Sequence, residues 1–178
     1  MTVTNVSLKK PDLILEHYFL GKTFASGIFE DRFGNVRRQF TVDIDGTWDG
    51  KTLTLIEDFI FNDGETETRV WSIEKIASSS YMGTADDVIG SAKGIVSGNT
   101  LNWKYDMRLK VGGSRVKVHF DDWMFLQPNG VLINKATVSK LGLDIGRVTI
   151  AFTKKADADF LSTIPSTNKQ PLVATLVR

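Results

Sequence analysis

The stretch "LNWKYDMRLK", residues 101–110, alternates without a break. Leu101, Trp103, Tyr105, Met107 and Leu109 fall on one phase; Asn102, Lys104, Asp106, Arg108 and Lys110 fall on the other. A period of two puts successive side chains on opposite faces of a strand, so one face meets a core and the other meets water. Comparable runs rich in β-branched and aromatic residues cover 23–32, 36–45, 51–61, 65–76, 79–87, 92–97, 114–126, 131–139 and 147–154. Glycine and Asn/Asp-Gly marks divide them, among them "RFGN", "WDGK", "FNDGE", "VSGN" and "QPNG". Short apolar runs between such marks are the signature of successive antiparallel hairpins. No segment carries the 3.6-residue period that crossover helices would need.

Roughly ten strands joined by tight turns predict an all-β fold, an antiparallel up-and-down β-barrel of the lipocalin-like kind. A two-sheet sandwich is the alternative, but it usually requires a long crossover connection and none is visible. "KPDLILEHYFLG" predicts a short N-terminal helix, starting near Pro11 and stopping before Gly21, that plugs one barrel end. The tail after Lys155 begins with a possible short helix and continues into Pro- and Ser/Thr-containing chain. The 178 residues therefore read as one domain, 1–178, with a core of about 18–155 and a C-terminal extension over 156–178.

Several charges share a phase with apolar residues. Arg38 falls with Val36, Phe40, Val42 and Ile44; Glu57 falls with Leu53, Leu55, Phe59 and Phe61. In "HFDDWMFL", Asp122 falls with Phe120, Met124 and Leu126, whereas Asp121 takes the outward phase with Arg115, Lys117 and His119. Adjacent strand residues point to opposite faces, so the Asp pair is not a catalytic dyad, and neither is Asp86 with Asp87. "FNDGE" reads as a type I turn with Gly64 in the left-handed position. That register sets Glu57 opposite Arg69, Leu55 opposite Trp71 and Leu53 opposite Ile73. A two-residue Asp-Gly turn would shift the pairing by one and bring Val70 to Glu57 instead. Buried charges are costly unless paired, so Arg38, Arg69, Glu57 and Asp122 are expected to neutralise one another or to hold a ligand headgroup. A guanidinium fork suits a carboxylate or phosphate. A purely structural polar network is the other reading of the same four residues.

Composition narrows the function classes. Basic and acidic residues number 22 and 21 and are interspersed, for a net charge of +1; that balance argues against nucleic acid as a partner. There is no cysteine, hence no thiolate nucleophile or Cys-type zinc site. With two histidines, His17 and His119, no metal and no cofactor is expected. "DIDGTWDG" lacks the downstream glutamate of a calcium loop, and no Gly-x-Ser-x-Gly elbow is present. Trp48, Trp71, Trp103 and Trp123 are expected to fill the interior. No apolar run approaches a membrane span, and the first residues lack a secretory signal, so the sequence as it stands reads as a cytoplasmic protein.

The run "YFLGKTFASGIFEDRFGNVRRQF … GTWDGKTLTLIEDFIFNDGETETRVW", followed by "FDDWMFL", resembles a bacterial domain-of-unknown-function family of lipoproteins with a lipocalin-like (calycin-type) barrel. The resemblance covers about residues 18–155 and is densest in the "EDF-x-F-x-DGE" and "FDDWM" segments. It implies a periplasmic or envelope-associated setting as the alternative to the cytoplasm. This chain lacks the family's N-terminal signal and lipidated cysteine, which leaves the setting open; the resemblance carries over no catalytic residue.

Together these readings predict non-catalytic binding of a small apolar or amphipathic molecule, such as a fatty acid or lipid fragment. The expected site is Arg38, Glu57, Arg69, Trp71, Trp103, Tyr105 and Asp122. Two alternatives stand beside it: an enzyme using Glu57 or Asp122 as acid or base, and a filled barrel serving as an interaction scaffold. The sequence does not fix the oligomeric state.

Overall fold

The protein is described by a computed structural model, which covers residues 11–111 and 113–154. The expectations for the first ten residues and for the C-terminal extension lie outside the described residues. After helix α1 (Leu15–Phe19) come ten antiparallel strands: β1 (Gly21–Asp31), β2 (Val36–Trp48), β3 (Thr52–Phe61), β4 (Thr66–Ala77), β5 (Ser80–Thr84), β6 (Val88–Ser97), β7 (Thr100–Val111), β8 (Ser114–Leu126), β9 (Leu132–Lys140) and β10 (Leu143–Thr153). Each pairs with its neighbours in sequence, and β10 returns to β1, so the sheet closes into an up-and-down barrel. Closure leaves no free sheet edge.

The period-two patterning lands as expected. Val42, Ile44, Leu53, Leu55, Trp71, Ile73, Trp103 and Met107 are buried on the inner face. The "FNDGE" turn forms with Gly64 at φ 84°, closed by Phe61 N–H donating to the Glu65 carbonyl at 2.9 Å. Its register pairs Glu57 with Arg69, Leu55 with Trp71 and Leu53 with Ile73.

Three details differ from the sequence reading. The expected strand 79–87 ends at Thr84, because Ala85–Asp87 turn and Val88 N–H donates back to the Ala85 carbonyl; β6 then starts at Val88 rather than at 92. The helix is confined to Leu15–Phe19, because Ile14 is extended and Leu13 N–H is taken by the Gly98 carbonyl. Trp123 does not fill the interior. Being next to inward Asp122 it points outward, where it stacks on Phe125 with ring centroids 6.4 Å apart.

One barrel end carries the loops 49–51, 78–79, 98–99 and 127–131 together with α1. Leu15 and Phe19 are buried there, and Phe19 meets Phe152 edge to face at 5.6 Å. The helix can lie this close because of Gly46, where a Cβ would come within 1.8 Å of the Phe19 carbonyl oxygen. Two anchors hold α1 in place. The Tyr18 hydroxyl reaches the Gly130 and Phe152 carbonyls at 3.0 and 3.1 Å. Glu16, 5% exposed, accepts hydrogen bonds from Lys75 and from the Tyr81 hydroxyl, the latter at 2.7 Å. The other end, with the turns after β1, β3, β5, β7 and β9, carries no such cover among the described residues.

Candidate ligand cavity

Between α1 and the uncovered end lies a cavity of about 940 Å³, at the upper end of the range of roughly 300–1,000 Å³ usual for small-molecule sites. The barrel is therefore not filled by its own side chains. Leu15 and Phe19 form the floor, Val42, Ile44, Leu55 and Met107 belong to the wall, and Phe61, Asp63 and Glu65 stand at the mouth.

Glycines shape this wall. Trp103 lies across β5 and β6 where Gly83 and Gly94 face inward; a Cβ there would come within 2.6 and 2.1 Å of the indole. Trp71 packs edge to face on Trp103 at 5.9 Å and on Tyr105 at 5.5 Å, and Tyr105 stacks on Phe120 at 5.0 Å. The result is a continuous aromatic panel from β4 to β8.

Each residue expected at the site lines the cavity. They do not form one network. Arg38 sits at the rim, bonded to Glu65 at 2.6 Å and Asp63 at 3.1 Å, with its guanidinium 3.5 Å from the centre of the Phe61 ring. Arg69 lies deeper and meets Asp87 at 2.9 Å, Glu67 at 3.0 Å and Glu57 at 3.9 Å. Asp122 meets neither arginine. Its partner is the Asn134 side-chain amide on β9. The expected mutual neutralisation thus holds for Glu57 with Arg69 and fails for Arg38 with Asp122: Arg38 lies at the rim, where its Nη2 is engaged by Asp63 and Glu65.

Burial dominates the acid–base behaviour here. It pushes Glu57 up to about 7, against the pull of Arg69 and with a further push from Asp87. Asp122 is likewise pushed up to about 7 by burial, which outweighs the Asn134 hydrogen bond, while Asp121 and Glu57 add repulsion. Tyr105 is raised well above its ordinary value by burial and by the Asp122 charge. Arg69 is held charged: burial opposes the charge, but Glu57, Asp87 and Glu67 outweigh it.

Two residues of this belt escape the sequence reading. Asp87 sits in the turn after β5, where alternation gives no direction. Asn134 does carry a signal, since it shares the phase of Leu132, Ala136 and Val138, all buried; a screen for charges alone passes over a neutral amide. His119 is on the outer face beside Asp106 at 2.8 Å, and Asp121 is half-exposed beside Asn102 and Lys104, as expected of solvated strand positions. Among the described residues no helix is long and apolar enough to cross a membrane.

Comparison with known proteins places this geometry. The chain belongs to the family described as "Protein of unknown function (DUF3833)", whose model matches residues 1–154. No curated protein matches it in sequence. Among solved structures it is similar to the S-type phycobiliprotein lyase CPES from Guillardia theta, with a TM-score of 0.54 at 6% identity, over 77% of this chain and 87% of that one. It is also similar to a protein of unknown function from the DUF3598 family of Nostoc punctiforme PCC 73102, with a TM-score of 0.52 at 11% identity. That match covers 80% of this chain but spans only about half, 49%, of the other. At these identities the likeness is one of fold: a lipocalin-like barrel.

Proposed function

We propose that this member of the DUF3833 family binds, without catalysis, a small apolar or amphipathic molecule inside its barrel, with fatty acids and lipid fragments as the first class to examine. The observation that carries this reading is the cavity of about 940 Å³, floored by α1 and walled by apolar side chains with a few polar groups at intermediate depth. Enclosed apolar volume with sparse convergent polar groups is the usual form of a small-molecule site. In this reading Trp71, Trp103 and Tyr105 contact the apolar body. Glu57, Arg69 and Asp122 form the polar belt, and Arg38 guards the mouth. The likeness to a phycobiliprotein lyase is one of fold and supports the barrel that encloses the cavity, not the absence of catalysis.

Native mass spectrometry of the purified protein tests it. Wild type is expected to retain a non-covalent small-molecule adduct, and Ala136→Phe, which adds a ring on the cavity wall, is expected to lose it. Absence of any adduct, together with no displacement of a fluorescent fatty-acid probe, would sink the reading. One observation favours a second reading, as an enzyme: Glu57 and Asp122 are both held near 7, where a carboxyl group can serve as acid or base. A ligand recovered chemically altered after incubation would establish that alternative.

A further inference from the structure

The same cavity also points to the chemistry of the ligand's polar end, and this inference rests on the binding reading above. The arginine fork suited to an acidic headgroup is already occupied. Arg69 faces three carboxylates, Glu57, Glu67 and Asp87, and Arg38 faces two, Asp63 and Glu65. Among the shielded side chains of the belt the charges are Glu57, Asp87 and Asp122 against Arg69, an excess of negative groups, while Glu67 is exposed. The buried oxygen atoms left without a partner tell the same story. Asn134 is 1% exposed and spends its amide N–H on Asp122, so its Oδ1 has no donor; Asp87 Oδ1 has none either. Asp122, 6% exposed, has no cation within ion-pair distance among the described residues. All three residues line the cavity. Among the side chains of the described residues, the unpartnered buried donor is Arg38 Nε, which lies at the rim over Phe61.

Buried acceptors without donors are uncommon in folded proteins and call for a partner. A carboxylate ligand would add a further acceptor and a further negative charge to this belt. An ammonium group supplies up to three donors and one positive charge, matching what Asp122 and Asn134 lack; Glu57 already has Arg69, but shares it with Glu67 and Asp87. Arg108, Lys110 and Arg115 stand near the mouth, but they are exposed and their charges are screened by solvent. We propose that the cavity selects amphipathic molecules with a primary amine at the polar end, the ammonium being received by the Asp122 carboxylate and the Asn134 carbonyl with Glu57 facing it.

The test uses three probes with one tail and different heads: dodecylamine, dodecanoate and dodecanol, each titrated below its micelle concentration against a neutral polarity-sensitive dye in the cavity at neutral pH. Dodecylamine is expected to displace the dye at about tenfold lower concentration than dodecanoate, the difference one charge-assisted hydrogen bond makes. Asp122→Asn is expected to reduce that preference to less than about threefold, with a cooperative thermal unfolding transition certifying that the variant is folded. Glu57→Gln serves as the second variant and is expected to reduce the preference partially. Dodecanol displacing the dye with dodecylamine no better than dodecanoate or dodecanol overturns the amine proposal and leaves the binding reading standing. An amine preference that survives both substitutions also overturns the assignment. Failure of all three probes to displace the dye overturns the binding reading and the amine proposal together.

Discussion

Glu16 on α1 and Asp122 on β8 are almost equally hidden, at 5% and 6% exposure, yet their surroundings treat them in opposite ways. Burial alone would raise the pKa of both. At Glu16 the hydrogen bonds from Lys75 and Tyr81 outweigh burial and hold the group below its ordinary value. At Asp122 a neutral amide is the side-chain partner among the described residues, burial wins, and the group is pushed up to about 7. The closed end of the barrel is thus a satisfied network that fixes a helix. The cavity belt is left short of donors among the described residues, and that shortage is what the proposed binding rests on.

Breaking the closed end gives the largest expected effect. Glu16→Ala leaves the Lys75 ammonium and the Tyr81 hydroxyl without their shared acceptor and frees α1, at a cost of about 2–3 kcal/mol in urea unfolding, reduced from the fully buried case because Lys75 is partly solvated. A change below about 0.5 kcal/mol would show that the Glu16 network does not hold the floor. Gly94→Ala follows, at about 1–3 kcal/mol, because the new Cβ drives Trp103 off its seat and into the cavity. Dye binding should weaken with it; stability lost without any change in binding would detach Trp103 from the site.

The comparison is sharpest in its pH dependence. Asp122 and Glu57 have folded pKa values above their ordinary ones, so the native state holds protons that the unfolded chain releases between about pH 4 and 7. Their effect on stability is therefore most favourable below that window and declines as pH rises through about 7. Glu16 has the opposite sign: its contribution is present above the ordinary carboxyl range and is lost as pH falls through its lowered folded value. Calorimetry should show the melting temperature of wild type declining from pH 5 to pH 8. Asp122→Asn should flatten that decline and melt about 2–4 °C above wild type at pH 8, the shift expected of about 1 kcal/mol in a chain of this size. An unchanged profile would mean that Asp122 is not destabilised by ionising. The smallest effect is expected on the surface. Asp31 accepts hydrogen bonds from Phe33 N–H, Asn35 N–H and Arg37, and Asp31→Ala should lower stability slightly, less than either substitution above, in the same unfolding assay without altering ligand binding.

How much of this was legible in the chain depends on how local the determinant is. Hairpin chemistry fixed by "FNDGE" was enough to bring Glu57 to Arg69 and Leu55 to Trp71. Strand phase alone sent Asp122 inward and Asp121 outward. Alternation predicts a face, but it does not say which strands meet across a barrel, so the separation of Asp122 from both arginines was not readable. Asp87 and Glu16 lie in a turn and a one-turn helix, where no period operates. Their roles come from tertiary placement: the reversal after β5 for Asp87, and the close approach at Gly46 for the helix bearing Glu16.

Because α1 covers one end, the barrel is a cup and not a tube. Under the proposed binding, and among the described residues, a ligand enters and leaves by the same rim, so the Arg38, Asp63 and Glu65 cluster stands on both the inward and the outward path. A gate crossed in both directions lowers or raises the two barriers together. Altering the rim should therefore change how quickly equilibrium is reached far more than where it lies, whereas the proposed binding predicts that affinity responds to changes below, at the depth of Asp122.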